Sequence, residues 1–288
     1  LIKKTLRAVL PEKLVGKEKT VVPLVRLHGV IGQGSRFNSA LNLANVEERL
    51  ETAFKMKKAP LVALSINSPG GSPVQSHLIY KRIRQLASEH SKQVLVFVED
   101  VAASGGYFIA LAGDEIIVDA SSVVGSIGVV SAGFGFEGLI EKIGVERRVY
   151  TAGTKKATLD PFQPENAEDV AHLKGLQKEL HAHFIGIVKE RRARSLADDA
   201  DVFNGLFWSG SKGVELGLAD KLGSLYEELH ARFGEDVKLK EIEAKSSWFA
   251  SLLSSGRTVP SLEAAAVHMP AAVLAAAEER SHWQRFGL

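Results

Sequence analysis

The chain has 288 residues, 45% of them hydrophobic and 24% charged, which suits one substantial α/β domain or two modest ones and excludes disorder as the dominant state. Lys and Arg number 36 against 34 Asp and Glu, a net charge of +2 that argues against the concentrated basic face of a nucleic-acid binder. There is no cysteine, so disulfides, thiol nucleophiles and thiolate metal sites are excluded.

The first 19 residues carry Lys3, Lys4, Arg7, Lys13, Lys17 and Lys19 against Glu12 and Glu18, a head of +4 on a body of −2. This head reads as a surface helix, with a weak amphipathic membrane contact as the alternative. It lacks the apolar core and cleavage site of a signal peptide, and no run of 18 apolar residues marks a membrane span. VVPLVRLHGVI at 21–31 predicts a buried strand and a glycine turn. Leu43, Val46, Leu50 and Phe54 recur at helical spacing over 41–58, and Pro60 stops that helix. LVALSI at 61–66 predicts a second strand, 74–90 a helix with Leu78, Ile79, Ile83 and Leu86 on one face, and QVLVFV at 93–98 a third strand. Strands alternating with helices predict parallel pairing through right-handed crossovers.

The stretch 99–130 is poor in charge and dense in Gly, Ala and Ser. It predicts a buried helix over 103–112 and a strand over 115–119. A helix near 136–143 and a strand at ERRVYT, 146–151, follow, then a long amphipathic segment over 165–195 with Val170, Leu173, Leu176, Leu180, Phe184 and Val188 on one face. From about residue 240 the alanine-rich text predicts one broken helix, limited by Pro270. The expected division is a basic head at 1–19, an α/β domain at 20–239 and a partly helical extension at 240–288.

Four places carry candidate chemistry. Ser104 lies among small residues at the start of a predicted helix, open to a substrate backbone; the bland alternative is a helix cap. Ser68-Pro69-Gly70-Gly71 follows a strand end, where the backbone N–H of either Gly70 or Gly71 can face a developing oxyanion. The nine histidines are scattered, His181 and His183 do not share one helix face, and no metal-binding spacing occurs, so neither a zinc site nor a histidine triad is favoured. Gly153-Thr154-Lys155-Lys156 offers a lysine base, since one cation beside another favours the neutral amine; most adjacent lysines simply project into water.

Together these pieces resemble the S49 peptidases, the signal-peptide peptidase A and SohB group, across residues 21–225. HGVIG, SINSPGG, AASGGYFIA, VGSIGV, GTKKATLDPF and ADKLG occur in the family's order. The resemblance implies a ClpP/crotonase-like α/β core with a parallel sheet and crossover helices. It implies Ser104 as nucleophile and Lys156 as base, because Gly153 and Pro161 flank Lys156 as in the family. Ser126 would hold that lysine, and Gly70 and Gly71 would contribute to the oxyanion hole. No cofactor or metal is expected. The partners implied are peptides or unfolded segments, such as signal-peptide remnants, and further copies of the chain in a ring with active sites near protomer interfaces. KKATLDPF departs from the more basic ending usual in the family's lysine segment. An acyl-CoA enzyme on the same scaffold, or a noncatalytic assembly protein, are the competing readings.

Overall fold

Apolar residues alternate between the two faces of each central strand, and that alternation sets the layers. The computed structural model describes residues 19–33, 40–243, 277 and 280–288. Within them, β1 (Val21–His28), β2 (Leu61–Ser68) and β3 (Gln93–Ala103) form the middle of an eight-stranded sheet. β8 (Lys238–Glu241) lies outside β1, and β5 (Val123–Gly125) and then β6 (Phe207–Ser209) lie beyond β3. β4 (Glu115–Val118) also pairs with β3 and carries β7 (Lys221–Leu222) on its far edge. Every pairing is parallel except β5 with β6. Parallel neighbours need crossovers, which α1 (Leu43–Phe54) and α2 (Pro73–His90) supply.

On one face Val62, Leu64 and Ile66 of β2 join Val94, Val96 and Val98 of β3 in the main core. α1, α2, α3 (Gly105–Ala110) and the long α5 (Ala167–Arg192) all bury side chains in that core. On the other face Leu61, Ala63, Leu95 and Phe97 pack with Leu229 of α7 (Leu225–Phe233). Local chemistry sets the helix ends. Asn42 Oδ1 accepts the Asn45 N–H at 3.0 Å to cap α1, and Ser72 followed by Pro73 opens α2. Glu168 and Asp169 sit in the first turn of α5, with Lys189, Arg191 and Arg192 in its last, matching the helix dipole. Arg192, only 5% exposed, donates to both carboxylate oxygens of Asp220 at 2.9 Å and to the Gly217 carbonyl at 2.7 Å. The end of α5 is thereby fastened beside β4 and β7.

Three sequence expectations change. β3 continues to Ala103, because one residue of β2, Asn67, opposes three of β3, Glu99 to Val101, between the pairs Ile66–Val98 and Ser68–Ala102. The bulge turns Glu99 and Asp100 outward, and Asn67 closes it by donating to Asp100 at 2.7 Å and accepting the Val101 N–H at 3.2 Å. The helix expected at 103–112 shortens to α3. No strand forms at 146–151: these residues are largely exposed and pair with no described strand, and an extended segment without a ladder partner has nowhere to place its backbone bonds. The short α4 (Glu137–Lys142) and α6 (Gly210–Glu215) complete the helices named here. The expected head helix and most of the alanine-rich tail lie outside the described residues.

Phe54 is fully buried where α1 meets the sheet. Phe54→Ala is expected to lower the unfolding free energy by about 3–5 kcal/mol. Urea denaturation checks this through a lower midpoint at unchanged slope.

Candidate active site

The bulge in β3 delivers its last three residues, Val101, Ala102 and Ala103, into pairing with β5, and Ser104 follows at once. Ser104 has φ 51 and ψ −121, a conformation that a residue with a Cβ rarely adopts. Holding it there costs on the order of 1–3 kcal/mol, so the surroundings must enforce it. Its N–H donates to the Gly125 carbonyl at 2.8 Å, and its carbonyl accepts the Phe108 N–H at 2.9 Å. The side chain makes no capping bond to α3. A serine on a sharp strand-to-helix turn, with its hydroxyl free, is the arrangement of a nucleophile elbow, and a plain helix cap would have bonded the helix instead.

Around it the chain comes very close. A Cβ on Gly70 would stand 2.8 Å from the Ser104 Cβ, and one on Gly106 would stand 2.3 Å from the Ser68 carbonyl oxygen. Gly71 has φ 140, and a Cβ there would lie 2.0 Å from the Ile31 carbonyl oxygen. The two candidate donors differ in hydrogen bonding. The Gly70 N–H donates to Ser68 Oγ at 3.2 Å, whereas the Gly71 N–H donates to no described residue. Ser126 is 5% exposed, has φ 54, and follows directly on Gly125, the acceptor for Ser104. Its own N–H donates to the Leu206 carbonyl at 2.7 Å. The β3–β5 register, Ala103 opposite Gly125, thus brings Ser104 and Ser126 side by side.

Lys156 stands elsewhere. It is exposed on the segment between β5 and α5 and does not line the cavity that contains Ser104. Its neighbour Lys155 donates to Glu168 at 2.8 Å and Asp169 at 3.3 Å, and these bonds hold its ammonium above the ordinary lysine range. Lys156 Nζ pairs with no carboxylate among the described residues. The segment around it exposes Val130, Phe134, Leu139, Ile143, Val145 and Tyr150.

Beside Ser104 opens a cavity of about 160 Å³ whose walls are mainly apolar. Val74 and Leu78 come from α2, Phe108 from α3, Val129 from the segment that follows β5, and Leu180 and Phe184 from α5. His77 and His183 also line it, their ring centroids 4.6 Å apart and each near Phe108. Sequence reading did not mark His77, and it treated His183 as one scattered histidine; only the packing of α2 against α5 unites them.

A second polar cluster offers a histidine beside a serine. Ser65 Oγ lies 2.9 Å from His28 Nε2 and donates to Glu99 Oε1 at 2.5 Å. Ser65 is 1% exposed, and its proton goes to the carboxylate, so it is no nucleophile. Among the described residues no group of three His, Asp or Glu side chains is placed to hold a metal ion.

The sequence profile of peptidase family S49 matches residues 87–240. A Brucella melitensis protein named "Na(+)/H(+) antiporter NhaA" is 56% identical over 98% of this chain, which spans 39% of that protein. "Serine protease SPPA, chloroplastic" of Arabidopsis thaliana is 30% identical over 81% of the chain and 36% of the relative. "Protease 4" of Haemophilus influenzae is 31% identical over 73% and 34%. The chain therefore spans well under half the length of these relatives.

Gly71→Ala is expected to lose several kcal/mol of stability, on the order of 3 or more, because both the positive φ and the Ile31 carbonyl oppose a Cβ. Gly175, exposed within α5 with nothing near its Cβ position, is the contrast. Gly175→Ala should gain roughly 0.5–1 kcal/mol. Thermal melts of both variants read the opposite signs.

Proposed function

Because the chain belongs to peptidase family S49, we propose that it is a serine endopeptidase in which Ser104 and Lys156 form the catalytic dyad. The observation that carries this reading is Ser104 itself, a strained, uncapped serine beside an apolar cavity and the unengaged Gly71 N–H. In the proposed reaction neutral Lys156 takes the Ser104 proton as Oγ attacks a peptide carbonyl. The Gly71 N–H, with Gly70 shaping the same turn, faces the tetrahedral oxyanion. Lys156 then gives its proton to the leaving amine; water activated by the same lysine attacks the acyl ester, breaking its bond to Ser104 Oγ, releasing the second peptide and returning the proton to the serine. Ser126, at the side of Ser104, would hold the lysine amine. Lys155 is the poorer base because Glu168 and Asp169 hold it charged.

A lysine is a base only when uncharged, and exclusion of water favours that form. In the single chain Lys156 is exposed and away from the Ser104 cavity, on a segment rich in exposed apolar side chains. Contact between that segment and a second copy of the chain would bury both the apolar residues and the lysine. We therefore read the active form as a ring in which one protomer's Lys156 meets its neighbour's Ser104. The substrates proposed are hydrophobic or unfolded peptides, signal-peptide remnants among them. The cavity beside Ser104 would receive the side chain on the acyl side of the cleaved bond. Ion transport is not proposed: the chain spans 39% of the antiporter-named relative, and no described helix is long and apolar enough to cross a membrane.

A serine-directed fluorophosphonate probe on the purified oligomer tests the dyad. Labelling should vanish in Ser104→Ala and fall at least a hundredfold in Lys156→Ala, on the scale of general-base loss. Lys155→Ala should keep labelling within a few-fold, on the order of an exposed ion-pair change. Labelling at the wild-type level in either the Ser104→Ala or the Lys156→Ala protein contradicts the dyad.

A further inference from the structure

Apart from Ser76 and Ser104 themselves, the polar side chains lining the cavity are its two histidines, and these have consequences for what it accepts. His77 of α2 and His183 of α5 meet edge to face, with ring centroids 4.6 Å apart, and both rings border the cavity that Ser104 opens into. Phe108 is tilted against both, at 5.6 Å from His77 and 6.0 Å from His183. Neither imidazole makes a hydrogen bond to a described side chain or backbone group, so neither ring is committed to a structural role by bonding. Packed so closely, the two rings disfavour becoming imidazolium together.

We infer that His77 and His183 are specificity-determining residues: with both rings neutral the cavity selects an apolar substrate side chain, and a single proton on His77 turns it toward a carboxylate side chain. This inference rests on the reading that Ser104 is the nucleophile and so places the side chain of the attacked residue in the cavity.

The surrounding charges support a switch in the mildly acid range. Burial, His183 and Lys81, one turn along α2, all hold His77 below the ordinary histidine range. α3 contributes Phe108 to this wall and no charged side chain. Farther along the α2–α5 groove, Tyr80 faces Arg84, Glu190 and Arg191, and burial holds its hydroxyl protonated above the ordinary range. The groups that act on His77 are thus cationic or become so on protonation. A proton arriving as the pH falls below about 6.5 adds positive charge with no carboxylate in place to neutralise it. A substrate carboxylate would supply that partner, and an apolar side chain would not.

Two otherwise identical fluorogenic peptides, with Leu or Glu on the acyl side of the cleaved bond, provide the test. The ratio of their kcat/KM values cancels the titration of the dyad, which both share. From pH 8 to pH 5 the Leu-to-Glu ratio should fall about tenfold in the wild-type oligomer, the scale of one added charge contact at a half-exposed site. It should stay within twofold in the His77→Gln/His183→Gln protein, whose melt confirms folding. Peptide products ending in Leu or Glu, bound to Ser104→Ala protein and followed by anisotropy, give the same ratio without turnover. A binding ratio that falls with pH in the Ser104→Ala protein, while the wild-type oligomer cleaves neither peptide, would count against the dyad and still support the inference that the histidines select the bound side chain. A flat ratio in both measurements, a slope that survives the double substitution, or no binding of either peptide at millimolar concentration overturns it.

Discussion

The hydrogen bond from the Ser104 N–H to the Gly125 carbonyl, 2.8 Å long, fixes the geometry on which the candidate site depends. It extends the β3–β5 ladder by one step and commits Ser104 to its positive φ before α3 begins. The conformation costs on the order of 1–3 kcal/mol, and it persists because its neighbours bury far more than that. All six residues of α3 are buried, and Tyr107 donates its hydroxyl to the Leu218 carbonyl at 2.8 Å from within the core. β5 is pinned from its other side by β6 and by the Ser126 N–H bond to Leu206. The strained residue is thus clamped between two ladders and a packed helix. Strain that survives such overdetermination belongs to a turn built to expose one hydroxyl.

The same clamp explains the glycines. Gly70, Gly71 and Gly106 let three backbone segments approach to distances that any Cβ would prevent. Close approach leaves the Gly71 N–H aimed at no described partner, whereas Gly70 is satisfied by Ser68. The bulge in β3 is part of this device, since it rotates the strand end and sends Glu99 and Asp100 outward, away from the apolar cavity. The titratable side chains that line the cavity are two histidines. A site lined this way suits a peptide whose side chains are apolar and whose backbone carbonyl carries the chemistry.

Much of the fold was legible because its central strands are short apolar runs and its helices carry periodic stripes. LVALSI and QVLVFV read as buried parallel strands, and α5 announced itself through Val170 to Val188. What was not legible arose from pairing. Glu99 and Asp100 made β3 look finished, because sequence does not reveal a bulge that β2 accommodates. ERRVYT ends in the β-branched and aromatic residues common in strands, yet no described neighbour is there to pair with it. At the site, Ser104 and the glycines stood out by composition, while the strain at Ser104 and the difference between Gly70 and Gly71 depend on three-dimensional bonding. His77 and His183 meet only through helix packing. Lys155 and Lys156 could not be separated by spacing alone; the family's pattern selects Lys156, and the ion pairs of Lys155 favour the same choice.

The central claim is that the strained serine of one protomer works with the projecting lysine of another. Mixing tests it most directly: inactive Ser104→Ala and Lys156→Ala chains are unfolded together, reassembled at equal amounts and assayed on an unfolded peptide substrate. If the dyad is shared between neighbours, peptidase activity should return to about a quarter of wild type, the statistical share of intact sites in a randomly mixed ring. No recovery above either variant alone, in mixed oligomers of normal size, would contradict the account.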